Sequence, residues 1–209
     1  MTMLRVPLLT RALPLMCVIS CAACGASPAT PVRAPATPVE TAQLPNDGAS
    51  LFALDITMVD QAGRPTTLRD LAGHATIASM VYASCTSICP RVTDEMQAIE
   101  RQFIAAGRRD VRFVLFSLDP SRDTPEAWSR FARAHKLDLT RWRLLTPTDD
   151  GLRDLAAVLG MQYATEANGE IAHTALIVAL DALGVVRRRQ VGLGQEPRAL
   201  IEAVMDTPE

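Results

Sequence analysis

The sequence predicts an α/β domain: a central mixed sheet, mostly parallel, flanked by helices on both faces and extended by an N-terminal hairpin. Three observations predict it. Apolar runs at 75–82 (ATIASMVY), 111–118 (VRFVLFSL) and 174–180 (TALIVAL) suit buried strands. Helix-period segments separate them, the order that a parallel sheet with crossover helices requires. Apolar residues make up 48% of the 209-residue chain, enough for one packed domain with extensions.

The elements follow in order. Residues 51–59 hold a first strand, and Asp60-Gln-Ala-Gly-Arg64 is turn chemistry that lets Thr66-Thr67-Leu68 pair back as a hairpin. The run 75–82 is the central strand. Residues 90–106 place Val92, Met96, Ile99 and Phe103 on one helix face, with Gly107 as the stop. After the strand 111–118, Asp123 or Thr124 caps a helix with Pro125 in its first turn, running to about His135. Residues 143–145 form a short strand, and 152–159 a helix ended by Gly160. The strand 174–180 and residues 185–191 make a hairpin across Asp-Ala-Leu-Gly, and 197–205 is a last helix. The run Arg187-Arg188-Arg189 reads as the solvated edge of that hairpin, charged against aggregation.

The first 48 residues have another texture. Arg5 and Arg11 precede a short apolar stretch interrupted by Pro14, far below the roughly 20 residues of a spanning helix. Residues 1–20 read as an export signal. Val18-Ile19-Ser20-Cys21 has the form of a bacterial lipobox, which makes Cys21 the lipidated residue; Cys24, after Ala22-Ala23, is the poorer alternative. Residues 21–48 are Pro-, Ala- and Thr-rich and read as a tether. The domain proper is 49–209. These features put the chain on the periplasmic face of a bacterial membrane, held by a lipid anchor; ordinary cleavage to a soluble periplasmic protein is the alternative. The net charge of −2 gives no electrostatic case for a nucleic-acid partner.

Of five cysteines, three lie in the leader, which excludes a disulfide-stapled body. Cys85 and Cys89 lie where the central strand gives way to a helix. Unpaired amides and the helix dipole there favour thiolate, the form that attacks disulfides and binds metals. Pro90 fits the first helical turn without losing a hydrogen bond. Three intervening residues are compatible with a chelating pair and exceed the two of the common dithiol redox spacing. Of three histidines, His74 reads as a turn residue and His135 as a helix-end residue favoured by the dipole. His173 stands at the mouth of the strand 174–180, where a sheet collects functional groups. Two thiolates and one imidazole suit copper as Cu(I) or Cu(II). Zinc is the rival, but structural zinc takes four protein ligands and three are found.

With these residues in view, the chain resembles the Sco/SenC family of copper chaperones. The resemblance rests on Tyr82-Ala-Ser-Cys85-Thr-Ser-Ile-Cys89-Pro90, on Ser117-Leu-Asp119-Pro120-Ser-Arg-Asp123-Thr124-Pro125, and on His173-Thr-Ala-Leu-Ile. It implies a thioredoxin-like fold and copper held by Cys85, Cys89 and His173. It also implies delivery of copper to the dinuclear copper A site of cytochrome c oxidase, or reduction of that site's cysteines, with a periplasmic copper donor or thiol reductant as further partners. Thr86 stands where many members have Pro, and a lipid anchor replaces their membrane helix. Asp119 and Asp123 match the family motif and read as a turn and a cap.

The main rival is an extracytoplasmic thiol-disulfide oxidoreductase without metal, in which Cys85 and Cys89 are the redox pair and close as a disulfide when oxidised. Against it, thioredoxins place a cis-Pro just before the strand where this chain has His173. A peroxiredoxin would have Pro where Tyr82 stands. A copper or redox sensor with a signalling partner is equally compatible with the sequence.

Overall fold

A computed structural model of the chain describes residue 48 and residues 50–205. The expected export signal, both candidate lipidation cysteines and nearly all of the expected tether lie outside the described residues. The described residues fall within one unit, Val39–Glu209.

The chain enters through Ser50, whose hydroxyl caps a single 3-10 turn, Leu51–Ala53. The first strand is shorter than expected, because Leu51 is packed into the core by that turn rather than by a strand. Strand β1 (Thr57–Asp60) pairs antiparallel with β2 (Pro65–Thr67), which is the N-terminal hairpin. The Asp60 carboxylate closes its turn by accepting from the Ala62 and Arg64 amides, 2.9 Å each. A 3-10 turn at Leu68–Leu71 leads into β3 (Thr76–Val81), which is buried throughout.

The remaining elements are α1 (Ile88–Ala105), β4 (Arg112–Ser117), α2 (Pro125–Ala134), β5 (Trp142–Pro147) and α3 (Asp149–Leu159). After them come β6 (Tyr163–Thr165), β7 (Ile171–His173), β8 (Leu176–Leu180), β9 (Val186–Val191) and α4 (Arg198–Met205). Thr124 and Thr148 cap α2 and α3 through side-chain oxygens, with Pro125 at the start of α2. The Thr148 cap starts α3 three residues earlier than the apolar pattern at 152–159 indicates.

The main sheet has seven strands in the order β2-β1-β5-β4-β3-β8-β9. Strands β3, β4 and β5 are parallel, and β1, β2, β8 and β9 join antiparallel on either side. The sheet is therefore mixed, with a parallel centre. Its core holds Trp128, Trp142, Phe103, Phe113 and Phe116, with Phe113 stacked on Trp142 at 5.1 Å.

The arginine run on β9 does more than face solvent. Arg187 pairs with buried Asp181 at 2.7 Å, and Arg189 donates to the Val158 and Leu159 carbonyls at the end of α3. The sequence pattern did not indicate the second, two-stranded sheet of β6 and β7. It carries His173, which is thus the last residue of its own short hairpin and not the first of β8.

Candidate metal centre

Parallel strands β3 and β4 end at the same edge, and the functional groups gather there. After β3 the chain turns through Tyr82 to Ser87 into α1. The Cys85 amide bonds the Tyr82 carbonyl at 3.1 Å, a tight turn that brings Cys85 over the helix start. Its sulfur then accepts the Cys89 amide at 3.4 Å. Ser87 provides no side-chain cap for α1, so the Cys85 sulfur takes that place among the unpaired amides of the first turn. Pro90, in the first turn of the helix, has no hydrogen bond to lose. Cys89 is fully buried and Cys85 nearly so, and both are free thiols.

The two sulfurs are chemically unequal. Burial resists ionisation of Cys85, but the Cys89 thiol and the Cys89 and Ser87 amides hydrogen-bond to its sulfur and lower its pKa to about 7. Burial pushes the Cys89 thiol well up, and the hydrogen bond it makes to Cys85 adds to the rise.

His173 arrives from the other side on β7. Its Nε2 lies 3.4 Å from the Cys89 sulfur. Its Nδ1 lies 3.0 Å from the Thr174 carbonyl. A carbonyl only accepts, so Nδ1 carries the proton and Nε2 presents a lone pair toward the thiols. Burial lowers the His173 pKa, which keeps the ring neutral and competent as a ligand at neutral pH. Among the described residues, Cys85, Cys89 and His173 form one group whose ligand atoms all lie within 4.8 Å of one another. Two thiols and a fixed imidazole nitrogen suit a soft or borderline metal ion and leave room for a ligand from outside the chain. Tyr82 packs edge-on to His173, ring centroids 6.0 Å apart. Burial and the adjacent Cys85 thiol raise the phenol to about 12, so it stays neutral.

The SCO1/SenC family model matches residues 45–207, most of the chain and all three of these side chains. The chain belongs to the SCO1/SenC family. An SCO1 protein homolog of Bacillus subtilis is 32% identical over 90 residues, 43% of this chain and 46% of the relative. The chain thus spans about half the length of this curated relative. A solved SCO1/SenC family lipoprotein from Bacillus anthracis superposes with a TM-score of 0.63 at 25% identity, covering 72% of this chain and 92% of that one. ScoI of Bradyrhizobium japonicum, solved with copper bound, gives a TM-score of 0.58 at 22% identity, covering 72% and 94%. These likenesses agree with the thioredoxin-like fold expected from the sequence.

The family motif between β4 and α2 proves to be a brace rather than a simple turn and cap. Thr124 is the cap, and the Asp123 carboxylate is buried beneath the cysteine loop. It accepts from the Ala83 amide at 2.9 Å and from the Ser117 hydroxyl at 2.5 Å. Burial raises its pKa to about 6. Asp119 accepts from Arg122, and Arg122 reaches on to the Gly169 carbonyl at 2.9 Å in the β6–β7 turn. One segment therefore holds both the loop of Cys85 and the hairpin of His173. Sequence reasoning missed Asp123 and Arg122 in this role, because their contacts lie 40 and 47 residues away. The other histidines stay outside the site. His135 packs on the Phe131 ring at 4.2 Å, and burial lowers its pKa. Ring packing, not a charge at the helix end, accounts for it.

Proposed function

We propose that this chain is an extracytoplasmic copper carrier, tethered to a membrane through Cys21, or through Cys24 in its place. In this reading Cys85, Cys89 and His173 hold one copper ion as cargo and pass it to a copper-containing respiratory enzyme, such as the dinuclear copper A centre of cytochrome c oxidase. The observation that carries the reading is the convergence of two thiols and one oriented imidazole nitrogen within 4.8 Å. Thiolates favour Cu(I), and the imidazole makes Cu(II) acceptable as well, so the same set serves both states. Copper bound in a relative of the same fold supports this ion over zinc, and a lipoprotein relative supports the anchor. No described helix is long and apolar enough to cross a membrane.

The test is copper stoichiometry and the Cu(II) spectrum of the reduced chain. One copper per chain with a sulfur-to-copper charge-transfer band, altered in His173→Ala, is the expected result. No retained copper would overturn the reading.

A second reading has its own support in the unequal thiols. Cys85 as thiolate can attack a client disulfide, forming a mixed disulfide and releasing one client thiolate. Cys89 then loses its proton, attacks the Cys85 sulfur and releases the second client sulfur. Cys85 and Cys89 end as a disulfide, and the client disulfide ends as two thiols. Reduction of a copper site's cysteines before loading would use this chemistry.

A further inference from the structure

Four arginines gather at the opposite end of the sheet from the cysteines. Arg112 opens β4, Arg141 immediately precedes β5, Arg143 is the second residue of β5, and Arg64 comes from the β1–β2 turn. With His74, just before β3, and Asp70 they line a cavity of about 260 Å³. Asp70 is the lining carboxylate, while Asp60 and Glu100 balance Arg64 and Arg141, so that among the described residues Arg112 and Arg143 are the lining guanidinium groups without an ion-pair partner.

Their pairing inside the chain is uneven. Arg64 pairs with Asp60 at 2.8 Å. Arg112 donates to the Thr140 carbonyl at 2.7 Å. Arg143 donates to the Thr66 hydroxyl at 2.9 Å and to the Asp70 carbonyl at 3.3 Å. Arg141 is 7% exposed. Its guanidinium lies over the Phe113 ring and its Nε is 3.5 Å from Glu100, too long for a good hydrogen bond. Its Nη2 reaches the Val111 carbonyl at 3.4 Å. Among the described residues Nε and Nη1 have no hydrogen-bond partner. Glu100 supplies the counter-charge, and the Nη1 N–H groups remain without an acceptor, which is costly in a buried guanidinium.

The geometry points to a binding site for a phosphate-type oxyanion in this cavity, either inorganic phosphate or the phosphodiester of a lipid headgroup. Guanidinium forks match such oxygens in shape as well as charge. The chain also enters the domain at this end of the sheet. Ser50 bridges to Val185 and donates to the Leu183 carbonyl, in the β8–β9 turn that adjoins Gly73, before β3. The headgroup source rests on the tether proposed above; the free-phosphate source does not.

The test uses the full chain, copper-free and reduced, in dodecyl maltoside micelles. Arginine Nε–H signals are followed by NMR during titration with inorganic phosphate at constant ionic strength. A second titration adds phosphatidylglycerol to the micelles, with phosphatidylcholine as control. A saturable shift is expected in one of the two series. The half-exposed pair is then replaced together, Arg112→Gln with Arg143→Gln, which leaves buried Arg141 in place. That variant should bind about tenfold more weakly or worse, with copper stoichiometry unchanged. Saturation by phosphate alone assigns the free ion, and saturation by phosphatidylglycerol alone assigns the headgroup. No saturable shift in either series, or undiminished binding in the double variant, overturns the site. Since copper binding is read separately, failure here is distinguishable from failure of the copper reading.

Discussion

The Asp123 carboxylate and the Ala83 amide are joined by a 2.9 Å hydrogen bond that fastens the cysteine loop to the start of α2. Removing the acceptor with Asp123→Ala leaves a largely buried amide without a partner. A loss of about 1–3 kcal/mol of stability is expected. Asp123→Asn keeps an oxygen for Ala83 and can donate to Ser117, so it should fold normally. Urea unfolding of the copper-free, reduced proteins at about pH 4, where the Asp123 carboxyl is neutral and carries no charge-burial cost, checks both, and equal stability of Asp123→Ala and the parent there would refute the brace.

The same carboxylate gives a pH dependence. Its pKa rises from 3.8 to about 6 on folding. Below pH 4 it is protonated in both states and has no effect. Between about 4 and 6 the unfolded chain gives up this proton first, so stability falls as pH rises. Above 6 the full cost, roughly 3 kcal/mol, is present. Asp123→Asn lacks this cost. The difference in unfolding free energy between Asp123→Asn and the parent should therefore grow from pH 4 to pH 7. A difference that stays flat across that range would show that the carboxyl is not held neutral by burial.

The unequal thiols are testable by alkylation. With a pKa near 7, Cys85 should react with iodoacetamide at a rate that climbs through pH 7 and then levels off. Cys89, with its pKa raised and its side chain fully buried, should react far more slowly across the same range. Peptide mapping by mass spectrometry assigns each adduct. Preferential modification of Cys89 would reverse the assignment of attacking and resolving sulfur.

His173 can be separated from the thiols. His173→Ala should retain Cu(I) through the two cysteines and lose most of its Cu(II) affinity, because the borderline nitrogen donor is gone. The half-buried ring fills no deep core position, so apo stability should change by no more than about 1 kcal/mol. Anaerobic Cu(I) titration alongside Cu(II) spectroscopy measures both; an unchanged Cu(II) spectrum would remove His173 from the ligand set.

Most of this architecture was legible because local patterns and tertiary packing agree. The mostly apolar 76–81 segment and the all-apolar 176–180 segment read as buried strands, and the Cys85–Cys89 spacing sat visibly at a strand-to-helix junction. What stayed hidden was non-local. The orientation of β8, antiparallel to β3, follows from which edge accepts it, and periodicity carries no sign of that. The β6–β7 hairpin was hidden by brevity, its strands being three residues each. Asn168-Gly169 was its available signal, with Gly169 at φ 80° in the turn. Reading that pair would have placed His173 on a hairpin of its own. The buried role of Asp123 was masked because Asp beside Thr-Pro looks like an ordinary helix start.

Arg122 offers the sharpest separation of stability from site geometry. It is half-exposed and pairs with Asp119 while donating to the Gly169 carbonyl at 2.9 Å. An exposed ion pair of this kind contributes at most about 1 kcal/mol to folding, so Arg122→Ala should unfold at nearly the parent denaturant concentration. Yet it alone, among the described hydrogen bonds, joins the segment after β4 to the β6–β7 turn. Without it the hairpin is held by its own short ladder, by the Thr174–Gln162 bonds at its base, by packing of Ile171, and by Tyr82, which meets the Ile171 backbone and the His173 ring. The imidazole should then sample a wider range of positions relative to Cys89. The expected outcome is weaker Cu(II) binding with a broadened charge-transfer band, while Cu(I) binding by the cysteines is preserved. Parent-like Cu(II) affinity in Arg122→Ala would mean that the ladder, its base contacts and Tyr82 suffice to position His173, and the brace would then be confined to Asp123 and the cysteine loop.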